Sequence, residues 1–163
     1  MTPLILTSMA DMHELTADTI IDVRAPAEYA EDHLPGAINL PVLSDAERAR
    51  VGTIYKQVSP FAARKIGGAL VAHNTAAHLR GALADKDGAW QPLIYCWRGG
   101  QRSSAFATIL DQVGWRVTLL EGGYQSYRRE IVRTLYKTPL PHRLMLISGS
   151  TGTAKTALLH QLV

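Results

Sequence analysis

Short apolar runs punctuate the chain at residues 4–6 (LIL), 19–23 (TIIDV), 36–40 (GAINL), 92–96 (PLIYC) and 115–120 (WRVTLL). Between them, helical spacing of apolar positions predicts helices near residues 9–15, 27–31, 102–113 and 124–136. Strands buried on both faces read as continuous apolar runs, and interposed helices supply the crossovers that parallel strands need. The pattern predicts an α/β domain, a parallel sheet with helices on both faces.

Residues 42–91 interrupt this alternation and read as helical throughout, either an insertion or a cover over one sheet face. Ser44 and Glu47 have capping-box spacing, and Ser59 followed by Pro60 predicts a second helix start. Further on, KTPLPHR at residues 137–143 carries two prolines and predicts a linker. The expected organisation is a first domain over residues 1–136, the linker at 137–143 and a second segment from 144, opened by a strand at 144–148.

A chain of 163 residues, 47% hydrophobic and 19% charged, has material for one globular core and little more. Its apolar runs fall far short of the ~20 residues needed to span a bilayer. The start MTPLILTSM also lacks the basic stretch of a secretory signal. A cytoplasmic protein without a membrane partner is expected. The net charge of +3 permits a nucleic-acid partner without demanding one. A single cysteine excludes an internal disulfide and a multi-thiolate zinc site, and His73 and His78 miss the i,i+4 spacing of helical metal ligands, so no metal is expected.

That cysteine sits in YCWRGGQRSS, residues 95–104. Cys96 ends a predicted buried strand and Arg102 opens a predicted helix. Gly99 and Gly100 let the backbone turn inward, so successive amides and the helix N-terminus would form a positive cradle around the sulfur. Such surroundings, with Arg98 or Arg102 nearby, favour the nucleophilic thiolate. Cys96 is the candidate nucleophile. Trp97, Arg98, Gly99, Gly100, Gln101, Arg102 and Ser103 are candidates for binding the anion or substrate, whether thiosulfate, phosphate, selenophosphate or the outer sulfur of a persulfide. The alternative is a structural cysteine closing a core strand. Trp97 could stack on a base or lipid, or merely shield the loop.

Two flanking stretches carry a resemblance. IIDVRAPAEYAEDHLPGAINLP at residues 20–41 resembles the first rhodanese signature, and LLEGGYQSY at residues 119–127 resembles the second. Asp32 stands where glycine is usual, a surface change expected to leave chemistry untouched. Asp22 and Arg24 lie at a strand's C-terminal end, and Arg24 and Glu28 are near enough in sequence to pair. These charges are either ligand-facing or structural buttresses. Gly122 and Gly123 mark a close backbone approach or a plain turn, and His33 resembles a structural position. The C-x5-R loop resembles the longer loop of the phosphatase branch, which makes phosphate chemistry the rival.

RARVGTIYKQVSPFAARKIG, residues 48–67, resembles the insertion of the bacterial tRNA 2-selenouridine synthases. Arg48, Arg50, Lys56, Arg64 and Lys65 interleave there with Tyr55 and Phe61. The mixture suits RNA phosphates and bases; the alternative is a solvated helix face with two aromatics in the core. The tail, LMLISGSTGTAKTALL, has the strand, glycine loop and helix start of a phosphate-binding P-loop, with Gly149, Gly152, Lys155 and Thr156 as its candidates. Ala154 replaces the glycine before the lysine. A positive φ there would cost on the order of 1 kcal/mol.

The family joins a rhodanese domain to a P-loop domain, so the resemblance implies an N-terminal domain plus the truncated opening of a second. It further implies Cys96 as a selenium or sulfur carrier, held as a perselenide and steadied by amides of residues 97–103 and the Arg102 guanidinium. The product would be wobble 2-selenouridine in tRNA, the complete enzyme also geranylating the 2-thio group. The implied co-substrates are selenophosphate and geranyl diphosphate, with no tightly bound cofactor. The implied partners are tRNA, a selenophosphate source and the missing P-loop domain acting in trans. A second cysteine is absent, which fits transfer to an outside acceptor. The alternatives are a generic thiosulfate sulfurtransferase or rhodanese-like phosphatase, and a non-catalytic tRNA- or partner-binding module. The tail beyond residue 144 is expected to be disordered or to pack opportunistically.

Overall fold

The five apolar runs assemble into one parallel sheet in the computed structural model, which describes residues 1–13, 15–137, 139, 143 and 145–162. Its strands are β1 (Thr2–Leu4), β2 (Thr19–Asp22), β3 (Ile38–Asn39), β4 (Pro92–Tyr95) and β5 (Thr118–Leu120), in the order β1-β5-β4-β2-β3. Register pairs Ile21 with Ile94 and Leu93 with Thr118. The α/β class read from the sequence is therefore the observed one. β4 is central and buried along its length, as its unbroken apolar run requires.

Seven helices accompany it among the described residues: α1 (Ala10–His13), α2 (Pro26–Glu31), α3 (Asp45–Gln57), α4 (Pro60–Arg80), α5 (Gln101–Val113), α6 (Gly123–Tyr136) and α7 (Lys155–Leu162). Alternation along β4 sorts the core. Ile94 and Cys96 face a cluster with Val71, Phe106 and Leu110 from α4 and α5. Leu93 and Tyr95 face the other side, with Leu34, Tyr124 and Tyr127.

Ladder partners, not the ends of the apolar runs, set the strands: β1 begins two residues before its run and β5 begins three residues into its own. β1 ends at Leu4 because its ladder follows β5, while Leu6 leaves the sheet to fill the core. Trp115 and Val117 are likewise core residues ahead of β5, and only the Val117 carbonyl joins the edge, accepting from Thr2 N–H at 2.9 Å.

Both caps in the insertion form as predicted. The Ser44 hydroxyl accepts from Glu47 N–H at 3.3 Å and Ser44 N–H donates to the Glu47 carboxylate at 2.8 Å. The Ser59 hydroxyl accepts from Ala62 N–H at 3.0 Å, with Pro60 opening α4. Ala63, Gly67, Val71 and Thr75, at i,i+4 spacing, form the buried seam of α4. Since Val71 belongs to the core, the insertion is also the cover over that face.

The strand expected at the start of the tail does not form among the described residues. Residues 145–148 carry no strand, and Met145 and Leu146 are exposed. A strand needs a ladder partner, and none of the five strands pairs with this segment. α7 follows as a helix with no buried residue. Of the predicted linker, Lys137, Pro139 and Arg143 are described; the rest lies outside the described residues.

Candidate thiol site at a strand-to-helix junction

Cys96 follows β4 directly and is only 3% exposed. Among the amides of residues 97–103, that of Gly100 donates to Sγ, at 3.3 Å. The Ser103 hydroxyl, from the first turn of α5, lies 3.1 Å from Sγ and equally far from the Gly100 carbonyl. Its one proton serves one acceptor at a time. With a thiolate, hydroxyl and amide both point at sulfur; with a thiol, the hydroxyl is free to turn to the carbonyl. The helix opens at Gln101, one residue earlier than predicted, because Gly100 is its N-cap.

A second glycine pair holds this loop from below. Gly99 has φ +67°, and a Cβ there would stand 2.9 Å from the Gly122 nitrogen. Gly123 has φ +58°, and its Cβ would overlap the Cys96 carbonyl oxygen. Tyr124 and Gln125 N–H donate to the carbonyls of Cys96 and Trp97 at 2.8 and 3.1 Å. The start of α6 thus pins the thiol loop, which decides the Gly122–Gly123 question for close approach over a plain turn.

The charges sort differently from the expected pairing. Arg24 does not pair with Glu28. Its guanidinium, fully buried, grips Asp22 through Nε and Nη2 at 2.9 and 2.6 Å and lies over the Tyr124 ring at 4.3 Å. Asp22, two residues away and equally dry, captures it, so this pair is a buttress beneath the site. Glu28 instead accepts from Arg102 Nη1 at 2.7 Å and Arg48 Nε at 2.8 Å. Burial alone would raise the Glu28 carboxyl, but the two guanidinium groups outweigh it and hold the group below its ordinary value. Arg102, expected on the sulfur's charge, is therefore turned to Glu28. Arg98 and Gln101 are exposed at the loop's rim.

Trp97, 37% exposed, stacks on Tyr124 at 5.4 Å between centroids. Tyr124 in turn donates its hydroxyl to Asp32, which also accepts from Arg128 Nη1 at 2.9 Å. Asp32 is a surface residue, as read, yet it is wired to the loop's aromatic support. It lines, with Arg24, Glu28, Glu31, Trp97, Tyr124 and Arg128, a cavity of ≈ 340 Å³. On the other side of the Glu28–Arg102 pair, α3, α4 and α5 enclose a mostly apolar groove of ≈ 450 Å³. Arg102 lines the groove and Glu28 the cavity, so the ion pair is their partition. His33 stacks on Tyr29 and bonds its carbonyl, a structural arrangement.

In the tail, Gly149, Gly152, Lys155 and Thr156 do not meet the thiol loop's residues in any bond or cavity described. Lys155 Nζ folds onto its own loop, donating to the Gly149 and Ser150 carbonyls at 2.9 and 2.8 Å. Ala154 does adopt the positive φ, +54°, that a glycine would take without strain. The strand a P-loop requires is missing from the described residues, so the motif's context is not met.

Glu28, Asp32 and Tyr124 escaped sequence reading as functional neighbours because their partners lie 74 to 96 residues away. Ser103, already among the loop candidates, contributes its hydroxyl, since the first turn of α5 places it back over the preceding loop.

These features define a class: a single buried thiol at a strand-to-helix junction, under an amide loop, on a doubly covered parallel sheet. The chain belongs to the rhodanese-like domain family, whose model matches residues 6–130. It is 40% identical over 148 residues to a tRNA 2-selenouridine synthase of Nitrosomonas europaea, an alignment covering 90% of this chain. The synthase of that name in Bdellovibrio bacteriovorus is 36% identical over 152 residues and 88% of the chain. The chain spans 38% of the length of each. It is also similar to the N-terminal domain of a putative ATP/GTP binding protein from Clostridium difficile 630, with 34% identity and a TM-score of 0.67, covering 80% of this chain and 99% of that one. Among the described residues no helix is long and apolar enough to cross a membrane.

Proposed function

We propose that this chain is the chalcogen-carrying part of a cytoplasmic tRNA-modifying transferase, with Cys96 as the atom that takes up selenium or sulfur destined for the 2-position of a wobble uridine. One observation carries the reading: the Cys96 sulfur receives both the Gly100 amide and the Ser103 hydroxyl, in a loop that α6 holds rigid. Donors fixed before the reaction favour negative charge on the attacking sulfur. With thiosulfate the step balances within the site: the thiolate attacks the outer sulfur, the S–S bond breaks and sulfite leaves. The names of the similar synthases support tRNA as the acceptor.

A phosphatase with this loop needs its arginine on the phosphate, whereas Arg102 is engaged by Glu28, which favours the carrier reading. Selenophosphate, whose selenium is already at the selenide level, would be bound as an anion at the amides of residues 97–103 and not transfer that selenium to the Cys96 sulfur. Geranylation from geranyl diphosphate is proposed only for a longer protein containing a P-loop domain, supplied in cis or in trans.

Intact-mass spectrometry after incubation with thiosulfate and, separately, with its selenium analogue selenosulfate, which also releases sulfite, tests the proposal. One added sulfur or selenium on the wild type and none on Cys96→Ser supports it. No adduct from either donor overturns it.

A further inference from the structure

We propose that the α3–α4 hairpin is the surface on which RNA docks, its basic residues holding phosphates and the aromatics at its turn stacking on unpaired bases. The inference rests on the tRNA reading above and assigns it a place.

Charge supports it first. No carboxylate occurs between Glu47 and Asp85, while Arg48, Arg50, Lys56, Arg64, Lys65 and Arg80 all fall in that interval. Before that interval both signs occur, and after it carboxylates continue as far as Glu130. Arg48 is spoken for by Glu28, which leaves Arg50, Lys56, Arg64 and Lys65, all exposed, flanking the turn at Val58 and Ser59. The hairpin's own acids, Asp45 and Glu47, lie in the first turn of α3, away from the turn between the helices, so the basic end attracts polyanions over the length of a Debye screen.

The aromatics supply the second argument. Had the hairpin been only a solvated cover, Tyr55 and Phe61 would point into the core. They point out: Tyr55 is 56%, Val58 72% and Phe61 75% exposed. Large apolar side chains gathered at a turn, ringed by cations, are left mostly uncovered within this chain. Base faces are the chemistry that covers aromatics while phosphates meet the neighbouring cations.

The third argument is position. The groove of ≈ 450 Å³ has Tyr55 and Arg64 among its lining and reaches Gln101, Arg102 and Ser104 on the first turn of α5, the helix that opens from the thiol loop. A strand held at the hairpin is thereby led toward Cys96. A protein partner or an apolar-tailed small molecule would also cover exposed aromatics, but neither explains why residues 48–84 carry six Arg and Lys and no carboxylate.

The test measures binding of the full chain to a tRNA transcript, a short single-stranded oligoribonucleotide and heparin over a range of salt. Lys56→Gln/Arg64→Gln/Lys65→Gln should weaken all three and flatten the salt dependence by about two units of slope for the single strand. Tyr55→Ser/Phe61→Ser should weaken both RNAs by about tenfold and leave heparin, which has no bases, unchanged. Both variants should keep the wild-type melting temperature and load Cys96 from thiosulfate at the wild-type rate, which separates this inference from the carrier reading. Undetectable RNA binding at low salt, or RNA binding indifferent to both variants, overturns the hairpin assignment even if loading succeeds. Equal losses for RNA and heparin in the aromatic variant overturn the stacking.

Discussion

The Glu28 carboxylate holds the Arg102 guanidinium at 2.7 Å across 74 residues of sequence, and takes Arg48 of the insertion on the same oxygen. α2, the helix after the thiol loop and the insertion therefore share one acid. Removing it leaves two guanidinium groups without a partner in a partly dry setting. Glu28→Gln should lower unfolding free energy by about 1–2 kcal/mol, less than a fully buried pair would cost, since both residues retain some water. The sign with pH follows from a carboxyl held below its ordinary value of 4.5. Its contribution is complete above that value and is lost as pH falls through the depressed folded value. Denaturant titrations of wild type and variant should differ at neutral pH and converge in acid; a constant gap would remove the ion pair as its cause.

Ser103 offers the sulfur a second donor besides Gly100, and its side chain is fully buried against Cys96. Ser103→Ala takes away only the hydroxyl. Loading of Cys96 from thiosulfate should slow by about tenfold or more, the worth of one hydrogen bond to a charged group, while the melting temperature changes little. Loading at the wild-type rate would mean that the Gly100 amide alone supports the thiolate.

The glycines divide into those the site requires and those it does not. Gly123→Ala would place a methyl on the Cys96 carbonyl at φ +58°, and a loss of at least about 2 kcal/mol is expected from strain and displacement of the loop. Gly52, inside α3 with open space where its Cβ would be, is the control. Gly52→Ala should gain about 0.5–1 kcal/mol by narrowing the unfolded ensemble and improving helix propensity. Urea midpoints of the two variants should move in opposite directions, and movement in the same direction would contradict the packing described.

Much of this was legible because the relevant patterns are local. The run from Pro92 to Cys96 had to be a central strand, two glycines and a helix start had to make an amide loop, and Ser44 with Glu47 had to cap a helix. What failed did so where partners are distant or missing. Arg24 beside Glu28 in sequence suggested a pair, yet burial put Arg24 on Asp22 and left Glu28 to residues from two other helices. The apolar run at residues 144–148 read as a strand, but strands are made by neighbours, and none pairs with it among the described residues. Tyr55 and Phe61 sat on no decisive period, so only the fold could show that they face outward.

Asp32 provides the sharpest case of a distant partnership, since a residue expected to be inert accepts the Tyr124 hydroxyl and so braces the ring on which Trp97 stacks. The Tyr124 hydroxyl, with Arg128 assisting against some desolvation, keeps the Asp32 carboxyl below its ordinary value. Because Asp32 is largely exposed, its loss should cost little stability, within about 1 kcal/mol. Its effect should instead register locally. Trp90 and Trp115 are buried, so acrylamide quenching of tryptophan emission reports mainly on Trp97. Asp32→Gly, which installs the residue usual in the family, should increase quenching while leaving the melting temperature almost unchanged. Acid should do the same to the wild type once the carboxylate protonates, and the variant should show no such transition. Quenching unaltered by either treatment would show that the Trp97–Tyr124 stack stands without Asp32.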